Sequence, residues 1–170
     1  NRLVLEGRKF AYCPVSKYQV GSAALGASGQ SYVGFNVEFP GVGIAATVHS
    51  EQALVALAVG AGESSLTALA VSAAPCGHCR QFLNELNGSK SLRILIDGQP
   101  EMSLPDLLPV AFGPADLGVD QCVLNSRPWQ LNGPDCAEDP LVAAALHAAS
   151  ISYAPYSSCP SGVAILGDDG

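Results

Sequence analysis

The stretch AAPCGHCRQFL, residues Ala73 to Leu83, sets two cysteines two residues apart where one kind of pattern gives way to another. Two chemistries use that spacing: a redox pair cycling between dithiol and disulfide, or half of a zinc site. The neighbouring residues place the pair in a fold. Before it, Leu66 to Ala73 reads as a strand; after it, "RQFLNEL" reads as a helix ending near Asn87-Gly88. "SLRILID", Ser91 to Asp97, is a β-branched strand stopped by Gly98. Further back, Val48 to Val59 is an Ala- and Leu-rich buried helix with glycine stops at Gly60 and Gly62. "YQVGSAAL" (Tyr18 to Leu25) and "SYVGFNV" (Ser31 to Val37) flank the glycine-rich "GASGQ" as a β-hairpin. Asn1 to Phe10 reads as the end of a helix or a lead-in loop. Strand, strand, helix, strand, helix, strand predicts an α/β domain, one sheet covered by helices.

Bulk properties narrow the partners. The 170 residues suffice for one domain, or one and part of another. The net charge is −7 and no Lys/Arg cluster occurs, whereas a nucleic-acid binder needs a basic stripe to displace counterions from phosphates. A small-molecule ligand is expected instead. No apolar run of about 18 residues predicts a membrane span. No basic segment followed by an apolar one marks a signal peptide, and the chain starts at Asn1, so an upstream piece is expected to have been removed or left out. Six irregularly spaced cysteines without a secretory signal suggest a reduced, intracellular, cytoplasmic protein. On that reading Cys13, Cys122, Cys136 and Cys159 are free thiols.

The redox reading has a specific attraction, since Cys76-Gly77-His78-Cys79 is also the active-site tetrapeptide of protein disulfide isomerases. In thioredoxin-like proteins, however, a Trp usually precedes the first Cys. Here Pro75 does, and Trp129 lies far downstream. Redox chemistry also leaves "TVHSEQ" unexplained. His49-x-Glu51, 23 residues, then Pro75-Cys76-x-x-Cys79 supplies an imidazole, two thiolates and a spare carboxylate. Three such ligands suit Zn²⁺ and leave its fourth position for water. Both ligand sets fall at predicted helix N-termini, which favour thiolate. A carboxylate two residues from the ligating histidine is placed to carry protons rather than to bind metal. His78 and His147 read as surface or core histidines.

Beyond Phe112 the pattern changes. Gly113 to Pro140 is rich in prolines and turns and reads as an extended connector; Leu141 to Ser150 is an alanine-rich helix. The closing "YAPYSSCPSGVAILGDDG" overlays residues 12 to 29 at a constant offset of 141, without gaps. It matches Tyr12 with Tyr153, Pro14 with Pro155, Ser16 with Ser157, Gly21 with Gly162, Ala23 with Ala164, Leu25 with Leu166, Gly26 with Gly167 and Gly29 with Gly170. Turn chemistry alone does not hold register over so long a run. The expected organisation is a domain at 1–112, a connector at 113–140 and the start of a diverged copy at 141–170, leading into the same kind of hairpin strand.

"CPVSKYQVGSAAL", "GFNVEFPG", "TVHSEQ", "PCGHCRQFLNEL", "LLPVAFGPADL" and "YAPYSSCPSGVAI" together resemble the zinc-dependent cytidine deaminases, in their longer, homodimeric bacterial and plant form. The resemblance implies a three-layer α-β-α fold with one mixed sheet, followed by a degenerate second copy. It implies one zinc ion on His49, Cys76 and Cys79, with Glu51 as proton shuttle. It places Asn36 and Glu38 on the ribose hydroxyls and Tyr18 against the pyrimidine, where Cys159 stands in the second copy. Phe112 would reach the active site of the partner subunit of a homodimer. The implied reaction is hydrolytic deamination of cytidine, and of 2'-deoxycytidine, in pyrimidine salvage, with zinc-activated water attacking C4. Arg80 beside Cys79 is a candidate for restoring acidity to a zinc ion neutralised by two thiolates. A thiol-disulfide oxidoreductase, a polynucleotide deaminase and a catalytically dead zinc scaffold are the competing readings; acidic charge and "NVE" disfavour the second, an intact Glu51 the third.

Overall fold

A computed structural model of the chain describes residues 2–131 and 139–168. Its sheet begins with a hairpin, β1 (Gly21–Gly26) and the edge strand β2 (Ser31–Phe35). The turn closes through Gly26 N–H to Gln30 O, 2.8 Å, with Gly29 at φ 86°, a left-handed conformation in which a side chain would be strained. Three further strands, β3 (Leu66–Val71), β4 (Arg93–Ile96) and β5 (Met102–Ser103), complete a sheet of order β2-β1-β3-β4-β5. β3 and β4 run parallel and every other pair antiparallel, so the sheet is mixed as expected. The parallel pair requires a crossover, which α3 (Gly77–Leu83) supplies.

Register explains the core. Tyr32, Ala24, Leu69, Ile94 and Met102 stand opposite one another across all five strands. This row meets α2 (Ser50–Gly60) through Leu54, Val55 and Ala58, and α3 through Leu83. Each fully buried leucine there contributes about 1.5–3 kcal/mol. One residue along, the row Val33, Ala23, Ala70 and Leu95 faces the other way. There α1 (Arg2–Arg8) lies against β1 and β2, and Leu25 and Leu95 stay partly exposed. Three layers result, with the outer one covering only half the sheet. Gly21 permits that packing: a Cβ on it would stand 2.2 Å from Val4 O and 2.6 Å from Arg8 N.

Several expectations need revising. Asn1 to Phe10 contains a helix of its own, and β5 and α4 (Leu104–Leu107) were not anticipated. β5 has two residues, too few to show a period. The connector does more than connect: Pro114–Leu117 is a 3₁₀ turn, and Val123 is buried and bridged to Leu86. Residues 132–138, Cys136 among them, lie outside the described residues; Cys13, Cys122 and Cys159 are free thiols.

α5 (Pro140–Ser150) starts at Asp139, whose carboxylate accepts from Leu141 N–H at 2.8 Å. The turn after it repeats features of the one after α1 at the offset of 141. Lys17 N–H donates to Cys13 O at 3.1 Å, and Ser158 N–H to Ala154 O at 3.0 Å. Both residues are left-handed, at φ 60° and 50°. Tyr18 N–H donates to Ser16 Oγ, and Cys159 N–H to Ser157 Oγ. A Cβ on Gly162 would strike Ala145 O and Ala149 N, the counterparts of Val4 O and Arg8 N. The expected hairpin strand, however, does not form: among the described residues 161–168 take no regular structure, and Ile165 is 88% exposed. In the first turn, the corresponding β1 is held by β2 and β3, both later in the chain; the 170 residues hold no counterpart of either beyond Leu166.

Candidate active site

Two loops bring the chemistry together. Val37 and Val48 exchange backbone hydrogen bonds (2.9 and 3.0 Å), which carries the chain from β2 to His49 at the head of α2. β3 ends close by, and Pro75, fully buried, delivers Cys76 and Cys79 to the first turn of α3. His49 Nδ1 lies 3.5 Å from Cys76 Sγ and 3.2 Å from Cys79 Sγ. One ligand atom from each of the three residues falls within 4.8 Å of the others. Among the described residues this is the one such group.

The donor set suits a zinc ion, an imidazole and two sulfurs with a carboxylate beside them. Burial is the main force raising the Cys79 thiol pKa far above its ordinary value; the Glu51 and Cys76 charges add to it. Cys79 is 1% exposed. A divalent cation held among these three atoms reverses that balance and favours the thiolates.

Glu51 sits in the first turn of α2, 3% exposed, accepting a hydrogen bond from Ser50 Oγ at 2.9 Å. With His49 and Cys76 it lines a pocket of about 290 Å³. Tyr18, Asn36 and Glu38 line the same pocket, joined by Ser16, Val20, Thr47, Ser50, Ala73 and Ala74. Asn36 and Glu38 also grip the loop that carries Tyr18. Asn36 Oδ1 accepts from Val20 N–H at 2.8 Å and its amide donates to Tyr18 O at 3.0 Å. Glu38 Oε2 accepts from Val15 N–H (2.8 Å) and Ser16 N–H (3.0 Å). Bonds from the Ser16 hydroxyl and amide, with Val15 N–H, hold the Glu38 carboxyl below the usual carboxylate range despite its burial.

Phe112 does not line this pocket. It stands 57% exposed beyond α3, and its carbonyl accepts from Gln81 Nε2 (2.5 Å) and Asn84 Nδ2 (3.1 Å). Arg80 works in the same manner: Nε donates to Pro75 O (2.8 Å) and Nη1 to Leu107 O (3.0 Å). Its guanidinium thus supports the backbone leading into Cys76 and ties α3 to the end of α4. Sequence reasoning missed these side-chain-to-carbonyl ties, which leave no local pattern. It also missed Gln52, whose Oε1 accepts from His49 N–H at 2.9 Å. Gln at the third helical position after a capping residue is a readable signal.

Two family models, both described as "Cytidine and deoxycytidylate deaminase zinc-binding region", match residues 2–94 and residues 104–170. The chain belongs to this family of zinc-binding deaminases, and zinc is its cofactor. Cytidine deaminases of Yersinia pestis (strain Pestoides F) and of Yersinia pseudotuberculosis (serotype O:1b, strain IP 31758) are each 46% identical to it over 156 residues. The match covers 91% of this chain and 52% of each relative, so the chain spans about half the length of the curated relatives it matches. The crystal structure of cytidine deaminase from Mycobacterium tuberculosis is similar with a TM-score of 0.59 at 37% identity, over 66% of this chain and 93% of that one. The Burkholderia pseudomallei cytidine deaminase is similar at 0.58 and 29% identity, over 65% and 94%. No described helix is long and apolar enough to cross a membrane.

Proposed function

We propose that the chain carries a site for hydrolytic deamination of cytidine, and of 2'-deoxycytidine, to uridine or deoxyuridine and ammonia. The observation that carries this reading is one pocket in which His49, Cys76 and Glu51 meet Tyr18, Asn36 and Glu38. His49, Cys76 and Cys79 hold the zinc ion, which supplies Lewis acidity and lowers the pKa of water at the site. Glu51 takes a proton from the attacking water and delivers it to N3 of the pyrimidine, making C4 electrophilic. As the water oxygen bonds to C4, the same carboxylate takes the second proton from that oxygen and passes it to the exocyclic amine, whose bond to C4 breaks to release ammonia. The Ser50 hydroxyl orients Glu51 for both transfers.

Glu38, held ionised at neutral pH, accepts from ribose hydroxyls, and the Asn36 amide sits beside it. Tyr18 packs on the pyrimidine ring. Phe112, exposed on its strap, reaches the site of a partner subunit in a homodimer. The setting is pyrimidine salvage in the cytoplasm. The chain comprises a catalytic domain and the start of a diverged copy of it. Matched hydrogen bonds, left-handed residues and glycine contacts at the offset of 141 support that duplication, as do two family matches along one chain.

The test is the ultraviolet change on mixing zinc-loaded protein with cytidine. The parent turns over, and Glu51→Ala keeps its zinc but loses at least about 10²-fold in rate, the lower range for general acid–base catalysis. Near-normal turnover by that variant removes Glu51 from the mechanism.

A further inference from the structure

His78, read from sequence as an ordinary histidine, is paired. Its Nε2 lies 2.9 Å from Gln52 Nε2, and its ring stands 5.5 Å from that of His49, tilted by 38°. The other end of the Gln52 amide is already committed, because Oε1 accepts from His49 N–H at 2.9 Å. That fixes the amide's orientation, so its NH₂ faces His78 and donates to it. One side chain therefore spans the heads of both helices that bring the metal ligands: α2, begun by His49, and α3, begun by Cys76. Gln52 follows His49 by three residues, and His78 sits between Cys76 and Cys79.

We propose that Gln52 and His78 form a clasp that holds the two ligand-bearing helix ends together and so retains the metal. They are positioning residues; neither supplies a metal ligand. The ion ties His49 to the two cysteines, and the clasp makes the same connection outside it. Closing the ring of contacts leaves less rearrangement for metal capture and more to break before release. Partners of metal ligands typically change metal affinity 10–100-fold when removed. The clasp rests on the zinc reading, and its test separates the two.

The experiment is zinc release from the loaded protein to an excess of a chromogenic chelator, for parent, His78→Ala, Gln52→Ala and the double variant. Cobalt(II)-substituted samples are followed in parallel through their thiolate charge-transfer band. His78→Ala is the clean probe, since an exposed residue is removed and the Gln52 bond to His49 N–H is left in place. Release is expected to quicken about 10-fold or more in His78→Ala, with an altered cobalt spectrum. The double variant should release no faster than Gln52→Ala alone, as two ends of one contact do not add. Parental release and spectrum in His78→Ala overturn the clasp while the zinc reading stands, even if Gln52→Ala is fast, because the helix cap alone would then be at work. A parent that binds neither zinc nor cobalt overturns both.

Discussion

Residues 12–21 and 153–162 close the same turn to different ends. Both follow a helix, close a turn on a left-handed residue and pack a glycine on that helix. In the first, Tyr18 points the turn at the pocket, and Glu38 and Asn36 grip it from β2's far end. In the second, Cys159 replaces Tyr18, and Tyr153 and Tyr156 both donate to Glu85 Oε2, at 3.0 and 2.7 Å. Glu85 follows α3, so the second turn is fastened to the end of that helix. The second turn closes the same backbone hydrogen bond with Tyr156 and Ser157 where the first has Val15 and Ser16.

Putting the same clash into each turn gives the largest expected contrast. Gly21→Ala drives a methyl into the Val4 and Arg8 backbone, which cannot yield without lifting α1 from β1. Overpacking of that kind costs about 1–3 kcal/mol, sometimes more, and should lower the melting temperature by several degrees. Gly162→Ala makes an equivalent clash with Ala145 and Ala149. There α5 has one well-buried residue, Ala149, so only the segment after residue 139 should loosen by hydrogen exchange, with zinc binding intact. Equal losses of melting temperature would mean that the two turns belong to one cooperative unit and would break the comparison.

What could be read in the sequence follows from how local each signal is. The hairpin, α2, β3 and β4 declared themselves by periodicity and glycine stops. His49, Cys76 and Cys79 were readable because zinc chemistry constrains residue types and short spacings. The offset of 141 survived because turns need particular residues at particular places, namely Tyr, Pro, Ser and Gly. Other features left no such trace. Asn36 and Glu38 bind backbone amides 16 to 23 residues away, and Arg80, Gln81 and Asn84 hold carbonyls 27 to 31 residues ahead. Such bonds depend on tertiary placement and not on neighbouring sequence. The strand expected after Gly162 failed for the complementary reason: its local pattern was right, but a strand is defined by its partners.

Glu38→Gln sharpens the comparison at intermediate size. Both loop amides converge on one carboxylate oxygen, so a glutamine oxygen can keep the turn while the charge is lost. Hydrogen bonds to a charged group are worth about 1.5–3 kcal/mol. KM for cytidine should therefore rise about 10-fold or more, with kcat changed less and zinc retained. The acid response should change too. The Glu38 pKa is lowered in the folded chain, so its stabilisation is present above the ordinary carboxylate value of about 4.3 and fades as pH falls through the lower folded value. Exchange at Val15 and Ser16 should quicken over that acid range in the parent and be nearly pH-independent, beyond intrinsic chemistry, in Glu38→Gln. A variant with parental KM would leave Glu38 as a brace for the loop and nothing more.

The smallest effect is expected from Tyr153→Phe with Tyr156→Phe, which removes both hydroxyls from Glu85 and leaves the rings edge to face. Burial, foremost, and the Glu85 carboxylate both push the Tyr153 hydroxyl pKa upward, so it stays protonated as a donor throughout the neutral range. The two bonds share one partly exposed acceptor oxygen. Their joint loss should cost no more than about 0.5–1.5 kcal/mol, the range for a single hydrogen bond. α3 would still be anchored by Leu83 and Leu86 in the core and by the backbone bridge from Leu86 to Val123. Zinc release and turnover should therefore match the parent, while exchange across residues 150–160 quickens. A variant that loosened the second turn and also released zinc faster would show that this turn braces the metal-bearing helix. The first turn would then act on the ligand directly and the second would act on the metal through α3.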